Sequence, residues 1–154
     1  MRQEHVDHCL NVFRIALTIK QQTKGTFNIF PKYTLNRESF PSPLPELFLE
    51  RKGSSDKPSY VLDIFEPGTF TWIFRKRMRQ HEDYAYESAY LYPNVLFVAQ
   101  NQSTENRLFK LTYENYADFD YFITQEEQLL NSEDGKVWID MENSEEDEVI
   151  RVKL

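Results

Sequence analysis

The chain of 154 residues contains one cysteine and four glycines. So few glycines argue against a glycine-rich phosphate loop and against a repeat-rich β protein. No apolar stretch approaches the ~20 residues that a membrane helix needs. The N-terminus, MRQEHVDHCL, lacks the basic-then-apolar pattern of a secretory signal and enters helical periodicity at once. Cys9 has no second cysteine to pair with and falls in an apolar helical pattern, so it reads as a small buried hydrophobe in a reducing cytoplasm. No GxSxG elbow, Walker loop, CxxC pair or HExxH motif is present. His5 and His8 are three apart on the first helix, without the further ligands a zinc site needs, and read as ordinary helix surface and packing.

What is present is enough for one domain. Hydrophobic residues make up 40% of the chain and aromatics 15%, which can fill a core and excludes global disorder. A domain of this length buries about two-thirds of its unfolded surface. The net charge of -7 gives no general attraction to phosphates. Charge is segregated, however: 142–148 (ENSEEDE) is nearly all acid and 75–79 (RKRMR) nearly all base.

Periodicity predicts a helix over 3–22, with Val6, Cys9, Leu10, Phe13, Ala16 and Leu17 at three- and four-residue spacings. Val12, Ile15 and Ile19 widen that stripe, leaving Asp7, Asn11, Arg14 and Thr18 as a narrow polar strip, the pattern of a largely buried helix. Lys24-Gly25 ends it. A strand is expected over 26–33, weakened by Pro31, then an irregular proline-rich connection over 34–45. Strands over 46–51 and 60–65 flank a hairpin tip at 52–58. EPG breaks the second of these, and Thr69 is placed to cap a helix over 70–88.

A tyrosine-rich connection then leads to NVLFVAQ at 94–100, whose consecutive apolar residues suit a strand buried on both faces of a parallel sheet. Strand, helix and strand make a βαβ unit with a right-handed crossover. A short helix over 102–111, a strand over 120–125, a helical turn at 126–130 and strands over 136–140 and 148–154 around the acidic loop complete the chain. The fold class is α/β, a mixed central sheet with flanking helices, in a single domain over 1–154.

The chemistry concentrates on VLDIF, apolar except for Asp63. A carboxylate in a core-like strand needs a partner, because burying an unpaired charge is costly. Glu46 opens the preceding strand, and two converging carboxylates could hold Mg²⁺ through oxygen ligands and orient water towards a phosphodiester. The simpler reading has Asp63 ionised against an arginine. At about 100° per residue, Phe70, Ile73, Phe74, Arg77, His81 and Tyr84 share one face of the following helix, with Phe70, Phe74 and Tyr84 towards the sheet. Arg77 is then inward, as a salt-bridge partner of Asp63 or a phosphate-binding group. Arg75, Lys76 and Arg79 point to the flanks. His81 reads as a packed imidazole at the helix–sheet boundary before it reads as a general base. The tyrosines of DYAYESAYLYP could stack on bases, although packing is the commoner role.

The succession HVDHCLNVFRIAL, LPELFLERKG, YVLDIFEPGT, RKRMRQHEDY and PNVLFVAQNQSTENRL resembles the replication-relaxation family. Those proteins occur on plasmids and mobile elements and relate in fold to PD-(D/E)XK endonucleases. The resemblance covers nearly the whole chain, with KVWID fitting the family's C-terminal end loosely. It implies a restriction-endonuclease-like core, DNA as partner and a winged-helix module that commonly precedes the nuclease-like part. No counterpart of that module is recognisable here, so Met1 could be a natural start or the first residue of a trimmed chain.

By the same resemblance, Pro45-Glu46 stands where the family has Pro-Asp, and Asp63 where it has the acid of the central strand. Arg77 or Lys76 stands near a basic residue of the next helix. The (D/E)-X-K spacing requires lysine at 65, where this chain has Phe65; a lysine could come from the helix instead. QHEDY at 80–84 is similar to the Gln and Tyr of some nuclease helices. The expected function is a DNA-handling domain for plasmid replication or mobilisation, with or without nicking, in which Glu46 and Asp63 hold Mg²⁺ and Arg77 or Lys76 stabilises the phosphate. The alternative is a non-catalytic module on the same fold that binds a protein partner. An acidic DNA mimic fits the charge but not the basic helix.

Overall fold

The computed structural model describes residues 2–53, 56–89, 91–115 and 120–154. The first helix, α1 (Gln3–Gln22), carries Glu4 in its first turn and Lys20 in its last, both favourable to the helix dipole. It stops where Thr23 donates its hydroxyl to the Ile19 carbonyl (2.7 Å) and where Lys24 and Gly25 take positive φ values of 52° and 71°. β1 (Phe27–Pro31) follows, an edge strand that tolerates Pro31 at its end before a 3-10 turn over Lys32–Thr34.

β2 (Leu47–Arg51) and β3 (Tyr60–Phe65) form an antiparallel hairpin with Phe48 opposite Val61. Residues 54 and 55 of its expected tip lie outside the described residues. α2 (Thr71–Glu87) crosses to β4 (Asn94–Ala99), parallel to β3 with Asp63 level with Phe97. The expected βαβ unit is present.

A second crossover, α3 (Gln102–Glu114), leads to β5 (Tyr121–Gln125), parallel to β4. α3 has a built N-terminus, the Asn101 side chain accepting from the Thr104 amide at 2.9 Å. α4 (Glu126–Asn131) is short, and β6 (Trp138–Asp140) and β7 (Arg151–Val152) extend the sheet antiparallel. The chain is thus mixed α/β, with one seven-stranded mixed sheet in the order β1 to β7 and helices on both faces. On one face α2 and α3 cover Val61, Phe65, Val95, Phe97, Tyr121 and Ile123. On the other, α1 and α4 cover Leu47, Leu49, Tyr60, Leu62, Leu96 and Val98. β4 is buried on both, as its apolar run requires.

Several expectations need correction. The strand expected over 136–140 starts only at Trp138, because Asp134 accepts from the Lys136 amide and holds the preceding residues in a turn. The strand expected over 148–154 shrinks to Arg151–Val152. Ser144 Oγ accepts from the Ile150 amide (2.9 Å), and Glu145 and Glu148 exchange backbone hydrogen bonds, so the acidic segment is a tight turn.

Thr69 does not cap α2. Its hydroxyl donates to the Glu66 carbonyl (2.7 Å) and closes the EPG turn, leaving Phe70 at the N-cap position with its ring 66% exposed rather than on the sheet. On α1, Ile15 and Ile19 are buried while Cys9, Leu10, Phe13 and Leu17 are exposed. Asn11, expected on the polar strip, is half-buried and donates to Glu126 of α4. The helix is apolar on two sides, and only the side of the isoleucines meets the sheet.

Phe97 lies at the centre of the sheet, with rings of Phe65 at 5.2 Å and Tyr121 at 5.4 Å. Phe97→Ala is expected to lower the unfolding free energy by about 3–5 kcal/mol. Phe70→Ala should change it by no more than about 0.5 kcal/mol. Urea unfolding of the two variants checks this, and similar losses would contradict the placement of Phe70.

Candidate functional site

β3 alternates, so Val61, Asp63 and Phe65 face α2 while Leu62 and Ile64 face the other layer. Asp63 therefore enters an aromatic core. The face of α2 that meets it carries Phe74, Arg77, Met78, His81 and Ala85, all buried. Arg77 meets the carboxylate in a two-pronged contact, Nε to Oδ2 at 2.8 Å and Nη2 to Oδ1 at 2.8 Å. His81 Nε2 lies 2.6 Å from the same Oδ2. An ionised carboxylate only accepts, so Nε2 is the donor, and Nδ1 is left to pair with the Tyr92 hydroxyl at 3.1 Å.

The third guanidinium nitrogen of Arg77 donates to the Pro43 carbonyl, and Gln80 donates to the Ser42 carbonyl at 3.0 Å. One carboxylate thereby links β3, α2, the connection to β4 and the proline-rich segment. At the other end of α2, Arg107 of α3 donates to the Thr69 carbonyl (2.7 Å) and covers the Phe74 ring.

Burial alone would push the Asp63 carboxyl up. The adjacent His81 and the hydrogen bonds from Arg77 and His81 outweigh that and hold it well below the usual carboxylate range. Burial likewise disfavours the Arg77 charge, and the hydrogen bonds and charge of Asp63 more than reverse it. Burial and the nearby Asp63 charge push the Tyr92 hydroxyl up, so it is a neutral hydrogen-bonding group.

Glu46 sits just before β2, its amide bonded to the Leu62 carbonyl (2.9 Å). Its Oε1 accepts from His8 of α1 at 3.0 Å and from Lys32 at 3.2 Å. Glu46, Asp63, Lys76 and Arg77 all line one pocket of about 260 Å³, together with Lys32, Trp72 and Gln80. The four residues expected at a site are brought together, and the proposed acid pair shares a wall.

Their present bonding does not fit a Mg²⁺ site. Both lone pairs of Asp63 Oδ2 are taken, and Oδ1 faces a guanidinium, so an ion at the ~2.0–2.1 Å that magnesium requires would sit against a fixed positive charge. Among the described residues no group of three or more His, Cys, Asp or Glu is placed to hold an ion. Position 65 is filled by a core ring, 4.9 Å from Phe74. His5 and His8 also do different things: His5 lies near Cys9, and His8 is a partner of Glu46.

The outer side of α2 has a separate character. Trp72, Arg75, Lys76 and Arg79 are all exposed and recur at the spacing of one helical stripe, with Trp72 60% exposed. Among the described residues none of these three cations is in a salt bridge. Trp72 was invisible as a site residue in the sequence, although its three-residue offset from Arg75 was the available signal. Lys32 lacked even that, because its role depends on Glu46, which is distant along the chain.

No family model, no curated protein and no solved structure matches this chain. Among the described residues no helix is long and apolar enough to cross a membrane.

Arg77→Ala leaves the buried Asp63 carboxylate with His81 alone and Oδ1 without its donor, so it should cost about 3–5 kcal/mol of stability at neutral pH. The sign of the pH dependence follows from the lowered Asp63 value. Below the ordinary carboxylate value of about 3.9 the unfolded chain takes up a proton that the folded chain refuses. The contribution is complete above about pH 5 and is lost as pH falls towards the folded value. Thermal unfolding from pH 7 to pH 2 should show this loss in the wild type and not in Asp63→Asn; equal slopes would exclude the assignment.

Proposed function

We propose that this chain is a nucleic-acid-binding domain whose contact face is the outer stripe of α2 with the adjoining pocket. The observation that carries this reading is the Trp72, Arg75, Lys76, Arg79 stripe, three exposed cations that form no salt bridge among the described residues, beside one exposed indole. Cations neutralise backbone phosphates and an aromatic face stacks a base, the combination used for single strands. Lys32 and the polar edge of Gln80 continue the face into the pocket.

The nuclease-like relationship and a role in plasmid replication or mobilisation remain part of the proposal. Their support is the resemblance, together with Glu46, Asp63, Lys76 and Arg77 on one pocket. Asp63 is assigned a structural duty and no metal-dependent step, because Arg77 and His81 occupy its oxygens.

A protein-binding module on the same fold is the second reading. It is favoured by the net charge of -7 and by the acidic turn over 142–148.

The test is fluorescence anisotropy with a labelled single strand and a labelled duplex at two salt concentrations. Binding should weaken with salt, and replacing Arg75, Lys76 and Arg79 by Ala should reduce the salt slope by about two to three. Trp72→Ala should weaken single-strand binding by about 1–3 kcal/mol. Trp138 is buried, so quenching of the indole fluorescence reports Trp72 directly. No binding at low salt would sink the proposal. Supercoiled plasmid incubated with Mg²⁺ or Mn²⁺ should stay intact; nicking that Asp63→Asn removes would restore a catalytic role.

A further inference from the structure

α1 has a second apolar face that meets no partner among the described residues. Its packing side is explained by Ile15 and Ile19, buried against the sheet, and by Gln22, which donates to the Leu129 and Ser132 carbonyls at 2.9 and 2.8 Å. Directly opposite run Val6, Leu10, Phe13 and Leu17. Leu10 is 57% exposed, Phe13 64% and Leu17 44%. Isolated exposed apolar residues are ordinary, but a contiguous row along one helix marks a contact surface. The steps from Val6 to Leu10 to Phe13 to Leu17 are four, three and four residues, the spacing with which two helices form a shared seam. Gln3 and Lys20 continue the same spacing at either end.

We infer that this face joins α1 of one chain to α1 of a second copy, antiparallel about a two-fold axis. The register follows from the row itself. Setting Leu10 against Phe13 of the second copy also sets Val6 against its Leu17, and the two-fold axis repeats both contacts. In that register the exposed Asp7 and Arg14, which flank the row on one side, fall within about two residues (~3 Å) of the other copy's Arg14 and Asp7. Each chain therefore supplies one charge of each sign at the matching place, and Gln3 lies opposite Lys20. Self-complementarity of this kind is what a two-fold interface demands, since one patch must serve both sides. The body of each protomer packs behind the isoleucine side of α1, opposite this row.

A single helix pair falls at the small end of stable interfaces. The dimer is accordingly a concentration-dependent one, separate from the nucleic-acid face on the other side of the sheet.

Sedimentation velocity of the whole chain tests this, with far-ultraviolet circular dichroism confirming that each variant is folded. At about 100 µM, a concentration suited to a small interface, the wild type is expected to sediment at roughly twice its 18.5 kDa mass. Phe13→Asp should be monomeric. Asp7→Arg and Arg14→Asp should each weaken association at least about tenfold, a 1.4 kcal/mol effect for like charges brought together in two symmetric places. The double variant carrying both exchanges should recover the wild-type dissociation constant. A monomeric wild type overturns the inference, as does a Phe13→Asp variant that still pairs. Failure of the double exchange to recover overturns the antiparallel register. None of these outcomes bears on nucleic-acid binding by α2.

Discussion

The arrangement depends on one buried negative charge. Asp63 stands in a strand whose other inward residues are Val61 and Phe65, and it is too buried there for water to solvate its charge fully. Arg77 and His81 must therefore reach it from α2, which sets both the rotation of that helix and its distance from the sheet. With the rotation set, Gln80 and Arg77 meet the carbonyls of Ser42 and Pro43, and the proline-rich segment closes over the end of the strand. The same rotation leaves Trp72, Arg75, Lys76 and Arg79 outside. A buried ion pair gives little net stability beside a well-packed apolar pair, yet breaking it is severe. Here it selects one packing of α2 among several that the apolar residues alone would allow.

The physical reasons that made parts of this legible in the sequence also mark where legibility ends. Asp63 and Arg77 could be paired in advance because an isolated buried carboxylate is untenable and only one cation of RKRMR falls on the inward stripe. His81 could be placed inward by the same count. Phe70 departs from the inward stripe because α2 begins one residue after it, and its backbone, extended at φ -69° and ψ 145°, turns the ring outward. Tyr92, Lys32 and the carbonyls of Ser42 and Pro43 were beyond reach, since nothing local to them signals which residue, 11 to 38 positions away, is the partner. α1 is the instructive case. Its periodicity is that of a helix apolar on two sides, and periodicity does not say which side the sheet will take.

The charge distribution resolves in a similar way. The net charge of -7 is concentrated partly in 142–148, where backbone and Ser144 hydrogen bonds fold the segment into a compact turn between β6 and β7. Tyr113 donates to Glu145 from α3, which ties the acidic turn to the body of the protein. The exposed cations Arg75, Lys76 and Arg79 lie together on α2, which packs on the opposite face of the sheet from α1. An acidic protein can thus present a basic face, and screening over about 8 Å at physiological salt lets the two regions act separately.

Whether Asp63 could also serve a metal is a question of competing demands on two oxygens. A ligand carboxylate must keep a lone pair directed at open space, whereas this one directs both oxygens at α2. Freeing it would require Arg77 to swing away, giving up its contacts to Asp63, Gln80 and Pro43 and reopening the segment that closes the strand. The position two residues on offers no help. Phe65 packs on Phe74 and Phe97, and a lysine there would place an ammonium among aromatic rings. Lys76 reaches the same pocket from α2, but a cation beside Arg77 adds to the positive charge already opposing an ion. Each substitution that would rebuild a metal site undoes a contact that now holds the fold, and the pair therefore acts as a pin between sheet and helix.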